Sequence, residues 1–252
     1  MIADERPLAI DLFTGLGGWT EGLVKEGWRV RGYDIEDMYA ATGAEKPEHY
    51  ELVLRNVLDI HGSDFKDAHL IVSSSPCTEY SYMAMPWSLA KAKAAAIRAD
   101  ETGEALRKLN ELFEAQFRIQ REASEAAGRH IPLVVENVRG AIPWVGRRHA
   151  WNFGSYYLWG DVPAIMPAAI KARKVPGFRF DGSGKSFQTA SVDHHGLGGI
   201  KGSEGYERDH PQAFGWKKPG TSSKSPARKA ASAAIAKIPL TLSSHIARVY
   251  KP

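Results

Sequence analysis

The stretch Leu8-Ala9-Ile10-Asp11-Leu12-Phe13-Thr14-Gly15-Leu16-Gly17-Gly18 decides the fold class. Residues 8–13 are mostly apolar and predict a buried β-strand, and the glycines after them predict a tight turn. Residues 19–26 then predict a helix, which Gly27 ends. A strand that passes through a glycine turn into a helix is typical of the first unit of a parallel α/β sheet.

Further strands follow the first helix. Residues 28–34 predict a second strand that ends in Asp34, and after a helical stretch we expect a third strand to bring Asp59 to the same edge. Residues 68–72 predict the strand that leads to Cys77, the only cysteine of the chain. Because strands and helices alternate, the sequence predicts a parallel α/β sheet.

The middle of the chain predicts helices and one more strand. Apolar residues recur at spacings of three and four within residues 88–128, as in an amphipathic helix: Leu106, Leu109, Phe113 and Phe117. Residues 90–99 are less amphipathic and indicate a separate helix or lid. Residues 132–135 predict a buried strand that ends in Glu136, Asn137 and Val138. We interpret the aromatic run 144–159 as packing against the sheet rather than as a base-stacking surface.

The net charge differs between the two ends of the chain. Residues 165–252 carry 15 Lys and Arg against 5 Asp and Glu, although the whole chain has a net charge of only +4. This basic part either faces a polyanion or is an ordinary solvated surface. It contains a glycine-rich irregular region, a helix predicted at 227–237 with Ser225 as its N-cap, and a second helix at 242–249.

Cysteine content and hydropathy exclude several classes. A single cysteine permits no intrachain disulfide and fits a reducing, cytoplasmic compartment. The sequence has no apolar run of about 18 residues and no leader-like start, so we expect neither a membrane span nor a signal peptide. Asp193-His194-His195 lacks the further ligands of a zinc set, so we expect no metal.

Three predicted strand ends carry side chains that suit an adenosine ligand. The glycine turn lets backbone amides approach a ligand at a helix N-terminus. Asp34 is placed to accept hydrogen bonds from ribose hydroxyls, and Asp59 could accept one from an adenine amino group. The alternative is a tight turn with solvated acids beside it.

Cys77 and Glu136 form a second candidate site. Each follows an apolar strand, so both are expected at the sheet edge that carries the nucleotide site. A thiolate is a nucleophile, and a neighbouring glutamate suits proton transfer to a substrate. Taken alone, a single cysteine is more often a small core residue, and a Glu-Asn pair can cap a helix or sit in a turn.

Three motifs in order resemble the DNA cytosine-5 methyltransferase family: residues 11–18 (DLFTGLGG), 76–81 (PCTEYS) and 136–138 (ENV). The resemblance covers about the first 140 residues. It implies a Rossmann-like fold with S-adenosyl-L-methionine as cofactor. It also implies methylation at C5 of a cytosine flipped out of double-stranded DNA, by an enzyme that is monomeric. A compact enzyme of this type suits a phage, a mobile element or a restriction-modification system in a bacterial or phage-infected cytoplasm.

The resemblance also implies roles for individual residues. Cys77 matches the nucleophile, and Glu136 matches the acid on the Watson–Crick edge of the base. The implied cofactor-binding residues are Asp11, Phe13, Gly15, Gly17, Gly18, Asp34, Ile35, Asp59, Ile60 and Pro76. The implied or nearest substrate-binding residues are Thr78, Ser81, Asn137, Arg139, Arg147 and Arg148.

The chain departs from the family at two places. Thr78 stands where the family usually has Gln, and the family's Gln-x-Arg-x-Arg stretch has no clear match, so Arg139, Arg147 and Arg148 are the nearest basic candidates. The alternatives are therefore an RNA cytosine-5 methyltransferase, a catalytically weak nucleic-acid-binding homologue, or an enzyme that transfers another group or acts on free nucleotides.

The predicted organisation has three parts. Residues 1–164 form the cofactor-binding and catalytic domain, residues 165–224 a short basic target-recognition region, and residues 225–252 a helical segment that returns to the catalytic domain. Because phosphate contacts carry no sequence information, we expect a short or relaxed sequence preference. The candidate phosphate-binding residues of the middle part are Lys171, Arg173, Lys174, Arg179, Lys185 and Lys201.

Overall fold

A computed structural model describes residues 5–81, 87–166, 233 and 236–252. Seven strands of this part of the chain form one sheet in the order β3-β2-β1-β4-β5-β7-β6. In chain order the strands are β1 Leu8–Leu12, β2 Arg29–Asp34, β3 Tyr50–Leu54, β4 Leu70–Ser74, β5 Leu133–Asn137, β6 Trp151–Phe153 and β7 Tyr156–Gly160.

Strands β1 to β5 are parallel, which confirms the predicted parallel α/β sheet. β7 runs antiparallel to β5 and pairs with β6 as a hairpin, so the complete sheet is mixed. The strand order reverses direction between β1 and β4, as in Rossmann-like doubly wound sheets. In such sheets ligands bind at this reversal, beyond the carboxyl ends of the strands.

Helices cover both faces of the sheet. They are α1 Gly18–Lys25, α2 Met38–Thr42, α3 Trp87–Ala99, α4 Glu104–Ala127 and α5 Leu240–Tyr250. Short 3-10 turns occur at Val57–Asp59, Gly62–Phe65 and Arg139–Ala141. The separate helix predicted before the long amphipathic one is confirmed, and Gly103 with φ 72° marks the break between α3 and α4.

Two hydrophobic clusters form the core, one on each face of the sheet. On one face α1 and α5 pack together, and Trp19, Leu23 and Ile246 are almost fully buried there. On the other face α4 buries Phe113 and Ile119 against the alternate residues of the same strands. The aromatic run 144–159 divides between both clusters, which confirms its predicted packing role.

Two predicted boundaries are wrong. The third strand is β3, and Asp59 ends a 3-10 turn five residues after it. β3 lies at the edge of the sheet, where the exposed Glu51 pairs with Arg31, and its five residues lack the regular alternation that indicates a strand. Strand β4 also continues through Ser73 and Ser74, beyond the predicted end at Val72, whereas β5 ends in Glu136 and Asn137, as predicted.

Several predictions concern residues outside the described part of the chain. They are the target-recognition region 165–224 from residue 167 onward with its six basic residues, the Asp193-His194-His195 sequence, Ser225 and most of the helix 227–237. The three-part division therefore stays a prediction. Where the structure describes the chain, none of the helices is both long and apolar enough to span a membrane.

Candidate active site

The glycine turn between β1 and α1 has an unusual backbone. Phe13, Gly15 and Gly17 all have positive φ, at 58°, 52° and 65°, and the first of them is not a glycine. The backbone N–H of Gly15 donates to the Asp34 carboxylate at 2.9 Å, so the turn is attached to the end of β2. This conformation presents the turn at the point where the strand order reverses.

The three glycines of the turn serve different purposes. A Cβ at Gly17 would lie 1.9 Å from the Tyr39 hydroxyl, and one at Gly18 would lie 2.4 Å from the backbone nitrogen of Ile238. Packing therefore demands glycine at both positions. A Cβ at Gly15 would meet nothing within 4 Å, so this residue borders open space where a ligand can approach the backbone.

The end of β2 combines a carboxylate with apolar side chains. Asp34 accepts hydrogen bonds from the backbone N–H groups of Ile35 at 2.7 Å and Glu36 at 3.3 Å. Ile35 is 76% exposed, and Leu54, which pairs with Asp34 in the sheet, is 59% exposed. Exposed apolar surface beside a hydrogen-bond acceptor suits an aromatic ring attached to a ribose.

Asp59 and Ile60, which the sequence placed at the end of the third strand, supply fewer ligand-facing side chains than predicted. Asp59 is exposed on its 3-10 turn and is free to accept a hydrogen bond. The side chain of Ile60 is buried in the core, and its carbonyl accepts from Arg118 at 2.9 Å. The structure therefore places Ile60 as a packing residue behind the predicted site.

Asp11 lies beneath the glycine turn and is almost fully buried. Its Oδ2 accepts hydrogen bonds from Thr20 at 2.7 Å and from Thr14 at 3.0 Å. Its Oδ1 is buried and has no partner among the described residues. Burial raises the pKa of Asp11 to about 7. An unpaired buried acceptor beside an open glycine turn fits a site that takes a polar or cationic ligand.

Cys77 lies on the loop that follows β4. The loop turns sharply, since the Cys77 carbonyl accepts from the backbone N–H groups of Tyr80 at 3.1 Å and Ser81 at 2.9 Å. Pro76 and Thr78 on either side are exposed, whereas Cys77 is half-buried. Burial, and secondly the charge of Glu136, raise the pKa of the thiol to about 11.

Buried polar side chains hold this loop, and the sequence did not reveal all of them. Ser75 accepts from the side-chain amides of Asn137, at 3.1 Å, and Gln116, at 3.2 Å. The Tyr80 hydroxyl donates to Asn110 at 2.8 Å. Asn110 and Gln116 come from α4, where the available signal was two amides on the apolar face of an amphipathic helix.

Glu136 stands beside the Cys77 loop on the neighbouring strand. It pairs with Ser74 in the sheet and is 8% exposed. Burial raises its pKa to about 8, and a hydrogen bond with Ser74 opposes this rise. The charge of ionised Glu136 in turn raises the pKa of the Cys77 thiol.

The three candidate arginines differ. Arg147 forms a bidentate pair with Glu114 at 3.0 and 2.7 Å, and its guanidinium lies 4.0 Å from the centre of the Phe117 ring. The structure thus gives Arg147 a packing role. Arg139 and Arg148 are exposed and have no side-chain partner within residues 5–81, 87–166 and 236–252.

The carboxyl ends of four adjacent strands therefore bear both candidate sites. β2 and β1 provide Asp34 and the glycine turn, and β4 and β5 provide Cys77 and Glu136. Within the described residues, no group of His, Cys, Asp and Glu could hold a metal ion. The arrangement can bind a nucleoside-containing ligand beside a thiol and an acid that is protonated near neutral pH.

No family model and no curated protein sequence matches the chain. Solved structures with some similarity include three methyltransferases. A prophage-encoded E. coli protein described as a DNA modification methyltransferase is 20% identical, with a TM-score of 0.37 over 54% of this chain and 33% of that one. S. pombe Dnmt2 methyltransferase is 14% identical, with a TM-score of 0.32 over 54% and 36%.

The third is the Entamoeba histolytica methyltransferase EhMeth, which is 16% identical, with a TM-score of 0.34 over 55% of this chain and 40% of that one. The matches thus span between 33% and 40% of these solved chains. Scores and identities of this size do not establish a family. The fold class therefore rests on the strand order of this chain, which is that of a Rossmann-like α/β protein.

Proposed function

We propose that this protein transfers a methyl group from S-adenosyl-L-methionine to C5 of cytosine in DNA. The observation that carries the proposal is the placement of Cys77, on the loop after β4, and of Glu136, near the end of the adjacent β5, at the sheet edge that also bears the glycine turn. Burial raises the pKa of both groups, the carboxyl to about 8 and the thiol to about 11. Perturbed groups of this kind concentrate at catalytic sites.

The residues at the end of β1 and β2 suit the cofactor. We assign the backbone at Gly15 and the side chains of Asp34, Ile35 and Asp59 to its nucleoside part. The unpaired Oδ1 of Asp11 and the open space at Gly15 fit a polar group at the turn. When bound, S-adenosyl-L-methionine supplies an electrophilic methyl group. Phe13 and Pro76 border the same edge.

Cys77 and Glu136 activate the base. Cytosine C5 is a weak nucleophile, and addition of the Cys77 thiolate at C6 makes C5 enamine-like. Protonated Glu136 donates a hydrogen bond at N3 and offsets the negative charge that develops on the ring. After C5 has gained the methyl group, loss of its proton and elimination of Cys77 restore the aromatic base and the free thiol.

The raised pKa of Glu136 affects two of these reaction steps. At neutral pH a carboxyl with a pKa of about 8 is mostly protonated, as the hydrogen bond to N3 requires. The protonated form is also neutral, so it does not oppose formation of the neighbouring thiolate, whereas ionised Glu136 does. A single protonation state of Glu136 thus favours both steps.

The substrate is a base outside the duplex stack. Cys77 is half-buried in its loop, and Glu136 is 8% exposed, so the target atoms of a stacked base cannot reach them. We therefore infer that the cytosine is flipped out of double-stranded DNA. Arg139 and Arg148 are exposed and available for phosphate contacts. We further propose a monomer with relaxed sequence preference, whose short basic region 165–224 provides the remaining contacts.

The test is covalent trapping with a duplex that contains 5-fluorocytosine, in the presence of S-adenosyl-L-methionine. Fluorine at C5 cannot leave as a proton, so the elimination step fails and the protein stays attached to the DNA. We expect a denaturant-resistant adduct whose cross-linked peptide contains Cys77, and none with Cys77→Ser. A matched RNA strand distinguishes an RNA methyltransferase. Absence of an adduct with either substrate contradicts the proposal and favours a nucleic-acid-binding homologue.

A further inference from the structure

Three neighbouring side chains connect helix α1 with the acid of the proposed site. The indole N–H of Trp19 donates to the Ser74 hydroxyl oxygen at 2.9 Å. Ser74 pairs with Glu136 across strands β4 and β5, so both side chains lie on the same face of the sheet, and hydrogen bonding by Ser74 lowers the pKa of Glu136. Trp19 is 2% exposed, so the indole N–H is shielded from water and depends on Ser74 for a partner.

The chemistry of the groups sets the direction of this connection. An indole N–H can only donate, so the Ser74 oxygen is an acceptor toward Trp19. A hydroxyl has a single proton, and Ser74 can direct that proton to the Glu136 carboxyl. The Glu136 oxygen that accepts from Ser74 is thereby disfavoured as the site of the carboxyl's own proton. The proton is left to the other oxygen.

We propose that Trp19 and Ser74 are positioning residues that direct the acidic proton of Glu136 to the carboxyl oxygen used on the substrate base. The inference rests on the proposed function for its catalytic meaning, but the proton placement exists in the free protein. Neither Trp19 nor Ser74 lies within the three motifs, and Trp19 comes one position after the glycine turn. The connection therefore links the helix that follows the cofactor turn to the acid that contacts the base.

Among the described residues, two titratable groups face Glu136 from the elements packed around it. Cys77 lies on the loop after β4, and Tyr156 comes from β7. The Tyr156 hydroxyl donates to the Lys237 carbonyl at 3.1 Å, and burial, then Glu136, raise its pKa far above the ordinary value. Tyr156 thus stays neutral over the range in which Glu136 titrates. From helix α1, the neutral Trp19 side chain contacts Ser74, the neighbour of Glu136 in the sheet.

The first test measures the titration of Glu136 in the free, full-length protein by carboxyl 13C NMR, with the resonance assigned from Glu136→Gln. Ser74→Ala removes the hydrogen bond that favours the carboxylate. We expect it to raise the pKa of Glu136 by about one pH unit, the equivalent of one hydrogen bond to a charged group. Trp19→Phe keeps an aromatic ring, removes the donor and is expected to cause a smaller rise. Ser74→Thr retains the hydroxyl and should restore the wild-type value.

Ser73→Ala is the matched control. Ser73 is the preceding residue of β4 and is fully buried, but it points to the opposite face, where its hydroxyl donates to the Leu12 carbonyl at 3.4 Å. This variant should leave the titration of Glu136 unchanged. The inference is overturned if Ser74→Ala leaves that titration unmoved, or if Ser73→Ala moves it equally.

The second test is steady-state methyl transfer at pH 7. Loss of proton placement should lower kcat of Ser74→Ala by about tenfold, with KM for DNA changed less than twofold, since only the transition state needs the directed proton. A merely structural role would lower the folded fraction and leave the Glu136 titration unmoved. If the wild-type protein transfers no methyl group, the proposed function fails, while the NMR titration still decides whether Ser74 is hydrogen-bonded to Glu136.

Discussion

Asn137 donates from its side-chain amide to both oxygens of Ser75, the carbonyl and the hydroxyl, at 3.1 Å each. This contact joins the last residue of β5 to the first residue beyond β4. Because Glu136 precedes Asn137 and Cys77 follows Ser75 by two positions, it also holds the acid and the thiol of the proposed site together. The asparagine is 1% exposed, so no water competes for these bonds.

Replacement of Asn137 should therefore affect both stability and activity. We expect Asn137→Ala to lower the free energy of unfolding by about 1–3 kcal/mol, because it leaves buried Ser75 oxygens with fewer donors. Methyl transfer should fall more than the folded fraction explains. Urea unfolding and initial rates check the two effects. Asn152→Ala, which removes an exposed hydrogen bond to Gly154, is the control and should behave as wild type.

The Cys77 thiol should respond to the charge of Glu136. At pH 9 Glu136 is ionised, since its pKa is about 8, and its charge raises the pKa of Cys77. Glu136→Gln removes that charge, so we expect iodoacetamide to alkylate the thiol roughly 3–10 times faster at pH 9. At pH 6.5 the two proteins should react at similar rates. Equal rates at both pH values would show that the groups do not interact. Because the chain has one cysteine, mass spectrometry reports the site directly.

Stability should fall as the pH rises through the titration of Asp11. Burial raises its pKa from 3.8 to about 7, so the folded protein holds this proton more tightly than the unfolded chain. The free energy of unfolding therefore decreases between about pH 4 and pH 7 and levels off above. Urea unfolding of Asp11→Asn should show a shallower decrease. Thr20→Val removes a hydrogen bond that lowers this pKa, so the decrease should extend above pH 7.

Gly15 and Gly17 should differ when each is replaced by alanine. The Cβ at position 17 clashes with the Tyr39 hydroxyl, so Gly17→Ala should unfold at lower temperature, and adding Tyr39→Phe should recover part of the loss. Gly15→Ala meets no atom, so it costs only about 1 kcal/mol for its positive φ. Its main effect should be weaker binding of S-adenosyl-L-methionine, measured by calorimetry. Wild-type affinity in Gly15→Ala would remove this glycine from the proposed cofactor site.

The arginines should separate into a structural and a binding group. Arg147→Ala removes the pair with Glu114 and the contact with Phe117, and we expect a loss of about 1 kcal/mol in urea unfolding. The double variant Arg139→Ala, Arg148→Ala should keep its stability. Its DNA affinity should fall, and the plot of the logarithm of the DNA association constant against the logarithm of the salt concentration should become less steep by about two. A larger effect of Arg147→Ala on that slope would reverse the assignment.

The sequence predicted the elements whose signals are local. The strand–turn–helix at 8–26 and the Cys77 loop are contiguous patterns of apolar, glycine and proline residues, and each lies where it was expected. Edge strand β3 was missed because its five residues do not alternate between apolar and polar and it pairs with one neighbour only. The position of Glu136 beside the loop was expected because parallel strands end at a common edge.

The contacts that hold the site were not predictable because they join residues far apart in the chain. Gln116 contacts Ser75 across 41 positions, and Trp19 contacts Ser74 across 55. Their partners depend on which strands are neighbours and on the register between them. The pairing of Arg147 with Glu114 could not be predicted either, because it depends on the rotation of α4 and not on any local pattern.

The packing of α1 on α5 has a consequence for synthesis of the protein. The Trp28 indole N–H donates to the Ala247 carbonyl, a contact across 219 positions, and α1 carries the glycine turn on its N-terminal end. At ribosomal speeds of about 5–20 residues per second, Ala247 is synthesised roughly 10–45 seconds after Trp28. During that interval the nascent chain exposes the apolar side of α1 to chaperones. The glycine turn therefore gains its final packing only after α5 has been synthesised.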